Sequence, residues 1–256
     1  MTNDWAINSG FTIYQPVRMA PLDFVSFRKT VWSKPMQPFL SDFCEELLVD
    51  NIFRGCSRGF SGEEKIKMLR GLPGCESYLT IKHLLQAHSV LIGGGRGQFR
   101  NCAVQVGGGN EGCFGFIAPR YHIKNELEWL FRETRVIDEP SERIAFFLFY
   151  FLHIHPFWDG NGRTSRLALQ VLMREIGGGE VSLFFSAMAW LIKDIFVAKL
   201  FLARSYGPAF LVDFVFDVLF LKKDVEDLVL GARGDSCEAI ISVRNFLLKK
   251  WASSVF

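Results

Sequence analysis

Cysteines at metal-binding or redox spacing are missing from this sequence: Cys44, Cys56, Cys75, Cys102, Cys113 and Cys237 are scattered without a single C-x-x-C pair. Also missing is a basic N-terminal stretch followed by an apolar core, since the chain opens Met1-Thr2-Asn3-Asp4-Trp5. Both absences lead to an expectation of reduced, buried thiols in a cytoplasmic protein. Delivery into another cell without a cleaved signal is compatible with the same features. Nor is there an uninterrupted apolar run of the roughly 18 residues that a membrane span requires. Residues 144–152 are too few, and residues 183–203 are interrupted by Lys193, Asp194 and Lys199, so both runs are expected as buried helices. A dense Lys/Arg block is lacking too, with 29 basic residues against 27 acidic and a net charge of +2. That balance argues against a nucleic acid as the main partner, because backbone recognition uses a basic stripe. Internal repeats and low-complexity tails are not found.

What the chain does contain is a globular composition, 49% hydrophobic and 22% charged over 256 residues, enough to bury a substantial core. Helical spacing and stop signals dominate. Short helices are expected at 21–27 and 39–52. Ser61-Gly62-Glu63-Glu64 has the Ser-x-x-Glu form that closes a helix start, with Pro73-Gly74 beyond its end. A helix over 79–91 carries His83 and His88 as surface or half-buried residues rather than ligands. The alternating residues 103–106 and the run 114–117, joined by a glycine-rich connection, predict a β-hairpin. The glycines at 93–97 lack the spacing of a phosphate loop and read as a flexible connection. Helices follow over 122–135, 142–154 and 162–176, the last stopped by Gly177-Gly178-Gly179. Further helical stretches are expected at 183–204, 208–230 and 236–252. The fold class is therefore mainly α with one small hairpin. Three parts are expected: an N-terminal helical region, 1–78, for recognition or regulation; a core, 79–204; and a C-terminal helical extension, 205–256, packed on it.

The chemistry concentrates in His155-Pro156-Phe157-Trp158-Asp159-Gly160-Asn161-Gly162-Arg163-Thr164-Ser165-Arg166, between two apolar helices. The glycines lead into a helix N-terminus, where outward amides and the helix dipole favour an anion such as a polyphosphate. Arg163 and Arg166, three apart, bring two guanidinium forks to one side of the first turn. Asp159 beside phosphates suits a Mg²⁺ ligand, Asn161 can donate its amide to a phosphoryl oxygen, and His155 can accept a proton from a hydroxyl. Phe157 is expected to point into the core and anchor the loop. Together these parts fit phosphoryl or nucleotidyl transfer. Two other readings stay open: an ordinary Asp-Gly/Asn-Gly turn with exposed arginines, and a transition-metal site of His153, His155 and Asp159, against which the adjacent arginines argue.

These residues resemble the signature of the Fic family, His-x-Phe-x-(Asp/Glu)-Gly-Asn-Gly-(Arg/Lys)-x-x-Arg. His155, Phe157, Asp159, Gly160, Asn161, Gly162, Arg163 and Arg166 fill every specified position. Less sharply, the likeness extends over about 79–204, where Gly97-Gln98-Phe99-Arg100, the hairpin and Pro119 look like the family's flap. The resemblance implies a Fic-like helical core and a protein adenylyltransferase that moves AMP from Mg·ATP to a Ser, Thr or Tyr hydroxyl of a target protein, releasing pyrophosphate. It implies His155 as base, Asp159 as Mg²⁺ ligand, Gly160, Asn161 and Gly162 as anion cradle, and Arg163 and Arg166 as holders of the leaving phosphates. The target would dock on the hairpin near 102–117 by strand addition. Alternatives on the same fold are UMP or phosphocholine transfer, or an idle nucleotide-binding module. One departure stands out. Many members restrain themselves with a (Ser/Thr)-x-x-x-Glu-(Gly/Asn) helix, and the nearest segments here miss it: Ser41 to Glu46 is wrong at its last position, and Asp50 to Gly55 has Arg54 in place of the glutamate. The chain is thus expected to be unrestrained, or restrained by a separate antitoxin-like protein.

Overall fold

The computed structural model describes residues 35–56, 59–70, 78–92, 97–107, 115–118, 122–232 and 234–252. The expected helix at 21–27 and the glycine runs at 93–96 and 108–112 lie outside them. Among the described residues there are eleven helices and two strands: α1 (Pro38–Phe53), α2 (Gly62–Arg70), α3 (Ile81–Ile92), β1 (Val104–Gly107), β2 (Gly115–Ala118), α4 (Ile123–Arg135), α5 (Pro140–Ile154), α6 (Asn161–Arg174), α7 (Gly179–Leu191), α8 (Lys193–Tyr206), α9 (Ala209–Phe220), α10 (Lys222–Gly231) and α11 (Ser236–Ala252).

The centre is α5. Pro140 opens it at a position where a missing N–H costs nothing, and the Glu139 carboxylate accepts from the Glu142 amide at 2.7 Å. Beyond that turn nearly every side chain is apolar and buried, including Ile144, Phe147, Phe149 and Phe151, so the helix must be covered on several sides. Helices α4, α6 and α9 pack against it, and α7 closes the far side of α6. Helix α1 lies on α7 and also touches α2, α6 and α10. One continuous apolar cluster runs from Met36 to Trp251, so residues on both sides of 78 and 204 share a core.

Local signals account for several ends. Ser61 Oγ accepts from the Glu64 amide at 3.1 Å while the Glu64 carboxylate accepts from the Ser61 amide at 2.8 Å, the reciprocal closure its spacing predicts. The strands pair antiparallel with Val104 opposite Ala118 and Gly107 opposite Gly115, one residue later than expected on each strand.

Two expected helices are each divided. The stretch 183–204 becomes α7 and α8, bent by 103° at Ile192. The stretch 208–230 becomes α9 and α10, broken at Leu221. Neither break carries Gly or Pro. A straight helix over 183–204 would run about 33 Å, and the bend instead lays α8 back against α9. Both break residues are buried, so packing supplies what the local sequence does not. No single helix among the described residues is long and apolar enough to cross a membrane. Of the four described cysteines only Cys44 is buried; Cys56 and Cys102 are half-buried and Cys237 is exposed, against the expectation of buried thiols.

Candidate active site

The loop between α5 and α6 begins where α5 is stopped by its own last residue. His155 takes the left-handed conformation, φ 48°, and its amide donates to Phe151 O at 3.0 Å. Such a C-terminal turn is more often made by glycine, but histidine is among the side chains that tolerate it. The turn swings the imidazole off the helix axis into a cavity of about 750 Å³. Its Nδ1 lies 3.3 Å from Leu152 O, which puts the neutral ring's hydrogen on Nδ1 and leaves the Nε2 lone pair for a ligand. Burial lowers the His155 pKa below its usual value; Leu152 O and Asp159 pull it up, and Arg100 pushes it further down. His155 is therefore a neutral base at pH 7.

Arg100 fixes this turn. It is 3% exposed, and its guanidinium donates to His155 O at 2.7 Å, Ile154 O at 2.9 Å and Cys102 O at 2.5 Å. A further tie runs from its own amide to Pro156 O at 3.0 Å. The carbonyls at the end of α5, which lack partners within the helix, are thus met by a cation at the negative end of the helix dipole.

Phe157 is fully buried and stacks on His88, ring centroids 3.7 Å apart and planes within 6°. The same histidine reaches Asp159 O through Nε2 at 3.0 Å. His88 is half-buried, as its helical position suggested, but it clamps the loop from beneath.

Asn161 makes a contact within the loop that its spacing did not indicate. Its Oδ1 accepts from the Phe157 amide at 3.0 Å and its Nδ2 donates to Phe157 O at 2.8 Å, with the residue 3% exposed. The side chain is a brace that closes the loop on itself, and its carbonyl and one amide hydrogen are engaged there. Only the remaining hydrogen is available for the phosphoryl contact expected of it.

Gly160 precedes α6 with φ 75°, a backbone conformation that selects glycine, and a Cβ there would sit 2.4 Å from Ile92 Cδ1, so the tip of that side chain would have to shift. No side chain caps α6. Its first amides and dipole are directed to the cavity that Gly160, Asn161 and Gly162 line.

The two arginines divide their work. Arg163 donates to Asp159 Oδ2 at 3.3 Å and to Arg54 O at 3.1 Å, tying the loop to the end of α1. Arg166 lies over Trp190, 5.7 Å from the ring centroid, with Nε buried and without a partner. Burial, with Arg163 adding to it, lowers its pKa to about 10, so it keeps its charge at neutral pH. An enclosed cation with an unanswered donor is suited to an anionic ligand.

Asp159 presents a side chain 77% exposed. One such carboxylate suits Mg²⁺ only when phosphate oxygens complete the coordination, and the arginine-lined cavity beside it is where they would be. The alternative set of His153, His155 and Asp159 does not hold together. His153 is buried with Nδ1 2.5 Å from Phe149 O, and burial pushes its pKa down to about 4. No group of three His, Cys, Asp or Glu among the described residues is arranged to hold a metal.

Residues outside the signature complete the cavity: Asn51 and Gly55 from the end of α1, Val106 from β1, and an apolar wall that includes Trp190, Phe196 and Leu200. No local spacing marks the residues of the apolar wall. Ser41 to Glu46, one of the two segments nearest the restraining pattern, is engaged elsewhere. Glu45 is 7% exposed and takes both Nε and Nη2 of Arg70 at 2.8 Å.

Residues 78–173 match the sequence profile of the Fic/DOC family. A protein named protein adenylyltransferase fic-1 from Caenorhabditis elegans is 31% identical over 129 residues, 48% of this chain and 24% of that protein. One named protein adenylyltransferase Fic from Culex quinquefasciatus is 34% identical over 107 residues, 39% and 20% of the respective chains. The chain thus spans about a quarter or less of the curated relatives it matches. Among solved structures, a Fic family protein from Desulfovibrio desulfuricans G20 superposes with TM-score 0.58 at 19% identity, over 85% of this chain and 77% of that one, which shows a shared fold.

Proposed function

We propose, from the premise that residues 78–173 of this chain form a Fic/DOC family domain, that the protein is a protein adenylyltransferase acting through the loop between α5 and α6. The observation that carries this reading is the join of two features in one cavity: a neutral imidazole with a free Nε2, and an uncapped helix N-terminus flanked by Arg163 and Arg166.

A triphosphate seated at the start of α6 meets the amides of the loop and the guanidinium of Arg166. Asp159 would hold Mg²⁺ together with phosphate oxygens, and the ion would supply charge neutralisation between them. His155 Nε2 takes the proton of a serine, threonine or tyrosine hydroxyl on the acceptor protein. The hydroxyl oxygen bonds to the α-phosphorus as the α–β bridging bond breaks, and the electron pair leaves with pyrophosphate. Arg100 and His88 hold the loop while charge moves, so the transition state is met by groups already in place. The acceptor is placed by the hairpin. Val106 of β1 lies in the cavity wall, and the two-stranded sheet has unpaired outer edges among the described residues, which suits an extended segment added as a strand.

Nothing in the signature reads a base, since its residues handle phosphates. The test is to incubate the chain with a lysate and α-labelled ATP, UTP or GTP and to identify modified residues by mass spectrometry. Adenylylated side-chain hydroxyls are expected; label from UTP alone would replace the donor, and no label with any nucleotide would leave a binding module.

The pH dependence follows from His155. Its lowered pKa means that the ring is neutral above that value and protonated, hence useless as a base, below it. With an acceptor in hand, kcat/KM should be level from pH 7 to 8 and fall along an acidic limb centred below the usual histidine value of about 6.5. A limb centred above that value would contradict the assignment.

The chain is proposed to be unrestrained, or restrained by a separate antitoxin-like protein, rather than by Glu45. Glu45→Gly removes a paired carboxylate and places glycine inside α1, so it should lower stability by roughly 1–2 kcal/mol. Thermal melting would register the loss, and transfer activity should not rise. An inactive chain switched on by this substitution would make Glu45 the inhibitor instead.

A further inference from the structure

The end of α1 reaches the phosphate side of the cavity, and its composition there is unusual for a wall that meets an anion. A helix C-terminus carries the negative end of the dipole, and the last turn of α1 contains no basic residue. Arg163 meets that end through its bond to Arg54 O, and Arg54 itself, the residue immediately after α1, adds a second cation there: it lines the cavity together with Arg163 and Arg166.

Its present contacts leave it available. The Arg54 guanidinium is paired with Asp50 one turn back at 2.5 Å, but both side chains are about two-thirds exposed, at 67% and 64%. Exposed pairs of this spacing are screened by water and contribute little, so a phosphate competes for the guanidinium at little cost. The backbone, by contrast, is held: Arg54 O accepts from Arg163 Nη1 at 3.1 Å, which sets the residue against the loop. Support comes from a neighbouring side chain. Arg166, which lines the same cavity, has its Nε buried without a partner. A donor of α6 is thus left unanswered beside the cavity that Arg54 also lines, as expected of a site for an anionic ligand.

We propose that Arg54 is a third cation of the polyphosphate site, holding the outermost phosphate of the nucleotide, so that α1 is part of the active site. When the α–β bond breaks and its electron pair goes to pyrophosphate, Arg54 takes up charge on the leaving group. The proposal rests on the nucleotide-transfer reading above, and the probes are chosen to separate the two.

Titration calorimetry of the full chain with Mg·ATP, inorganic triphosphate and AMP, comparing the parent with Arg54→Ala, Arg54→Lys and Arg54→Glu, provides the test. Loss of one charge-assisted contact should raise Kd for ATP and for triphosphate by about tenfold in Arg54→Ala, with lysine recovering part of it and glutamate losing more. AMP, which lacks the outer phosphates, should bind parent and variants alike. Equal ATP and triphosphate affinity in parent and Arg54→Ala would overturn the role of Arg54 and leave the transfer reading intact. Failure of the parent itself to bind either would overturn both. An equal loss for AMP would make Arg54 a structural support of the wall rather than a phosphate ligand.

Discussion

Replacing His155 is expected to lower AMP transfer by ~10²- to 10⁴-fold, the usual contribution of a positioned general base, while ATP affinity stays close to that of the parent. The separation follows from where the parts sit. The imidazole ends α5, whereas the proposed phosphate site is the start of α6 and its arginines, so removal of the ring would take the proposed proton acceptor and leave the anion site. His155 also makes the left-handed turn that ends α5, φ 48°. Alanine there carries a conformational cost of about 1–2 kcal/mol that histidine meets better. Asparagine tolerates the turn and has no basic nitrogen, so His155→Asn separates the chemical loss from the conformational one. Both variants should be inactive, with asparagine melting closer to the parent. Unchanged transfer in either, measured with saturating ATP, would assign the proton to another acceptor.

Arg100→Ala is expected to be strongly damaging although the residue lies outside the signature. The guanidinium is buried and serves three carbonyls, of Ile154, His155 and Cys102. Each buried carbonyl left without a donor costs about 1–3 kcal/mol, and some will recover water, so a total of roughly 3–5 kcal/mol is expected. For a chain of this size that corresponds to a fall in Tm of about 6–20 °C. The same loss frees the His155 turn, so residual folded protein should show a reduced kcat with ATP affinity little changed. Arg100→Lys, which cannot fork to three acceptors, should lie between. A Tm within about 2 °C of the parent would mean that these carbonyls find other donors and that Arg100 does not set the turn.

Much of the fold was legible because its signals are local. The helix starting at Gly62 has its reciprocal serine and glutamate within three residues, and α5 announces its central place by being apolar on nearly every side. The breaks at Ile192 and Leu221 were not legible, since neither has a glycine or proline and both are imposed by the need to fold apolar helices back over one core. Asn161 shows the same limit within the site. Its type suits both a phosphate donor and a turn brace, and only the positions of the Phe157 amide and carbonyl reveal the brace.

By itself the sequence determined the chemistry of residues 155–166: an imidazole, a carboxylate, a glycine turn and two arginines within a single loop, where proximity along the chain guarantees proximity in space. The tertiary structure decided everything that reaches this loop from a distance. His88 from α3, Arg100 from before β1, Trp190 from α7 and Arg54 from the end of α1 are brought to it by the packing of helices far apart in the chain. No periodicity encodes such meetings. They depend on which apolar faces cover which, and that is settled only when the whole core closes.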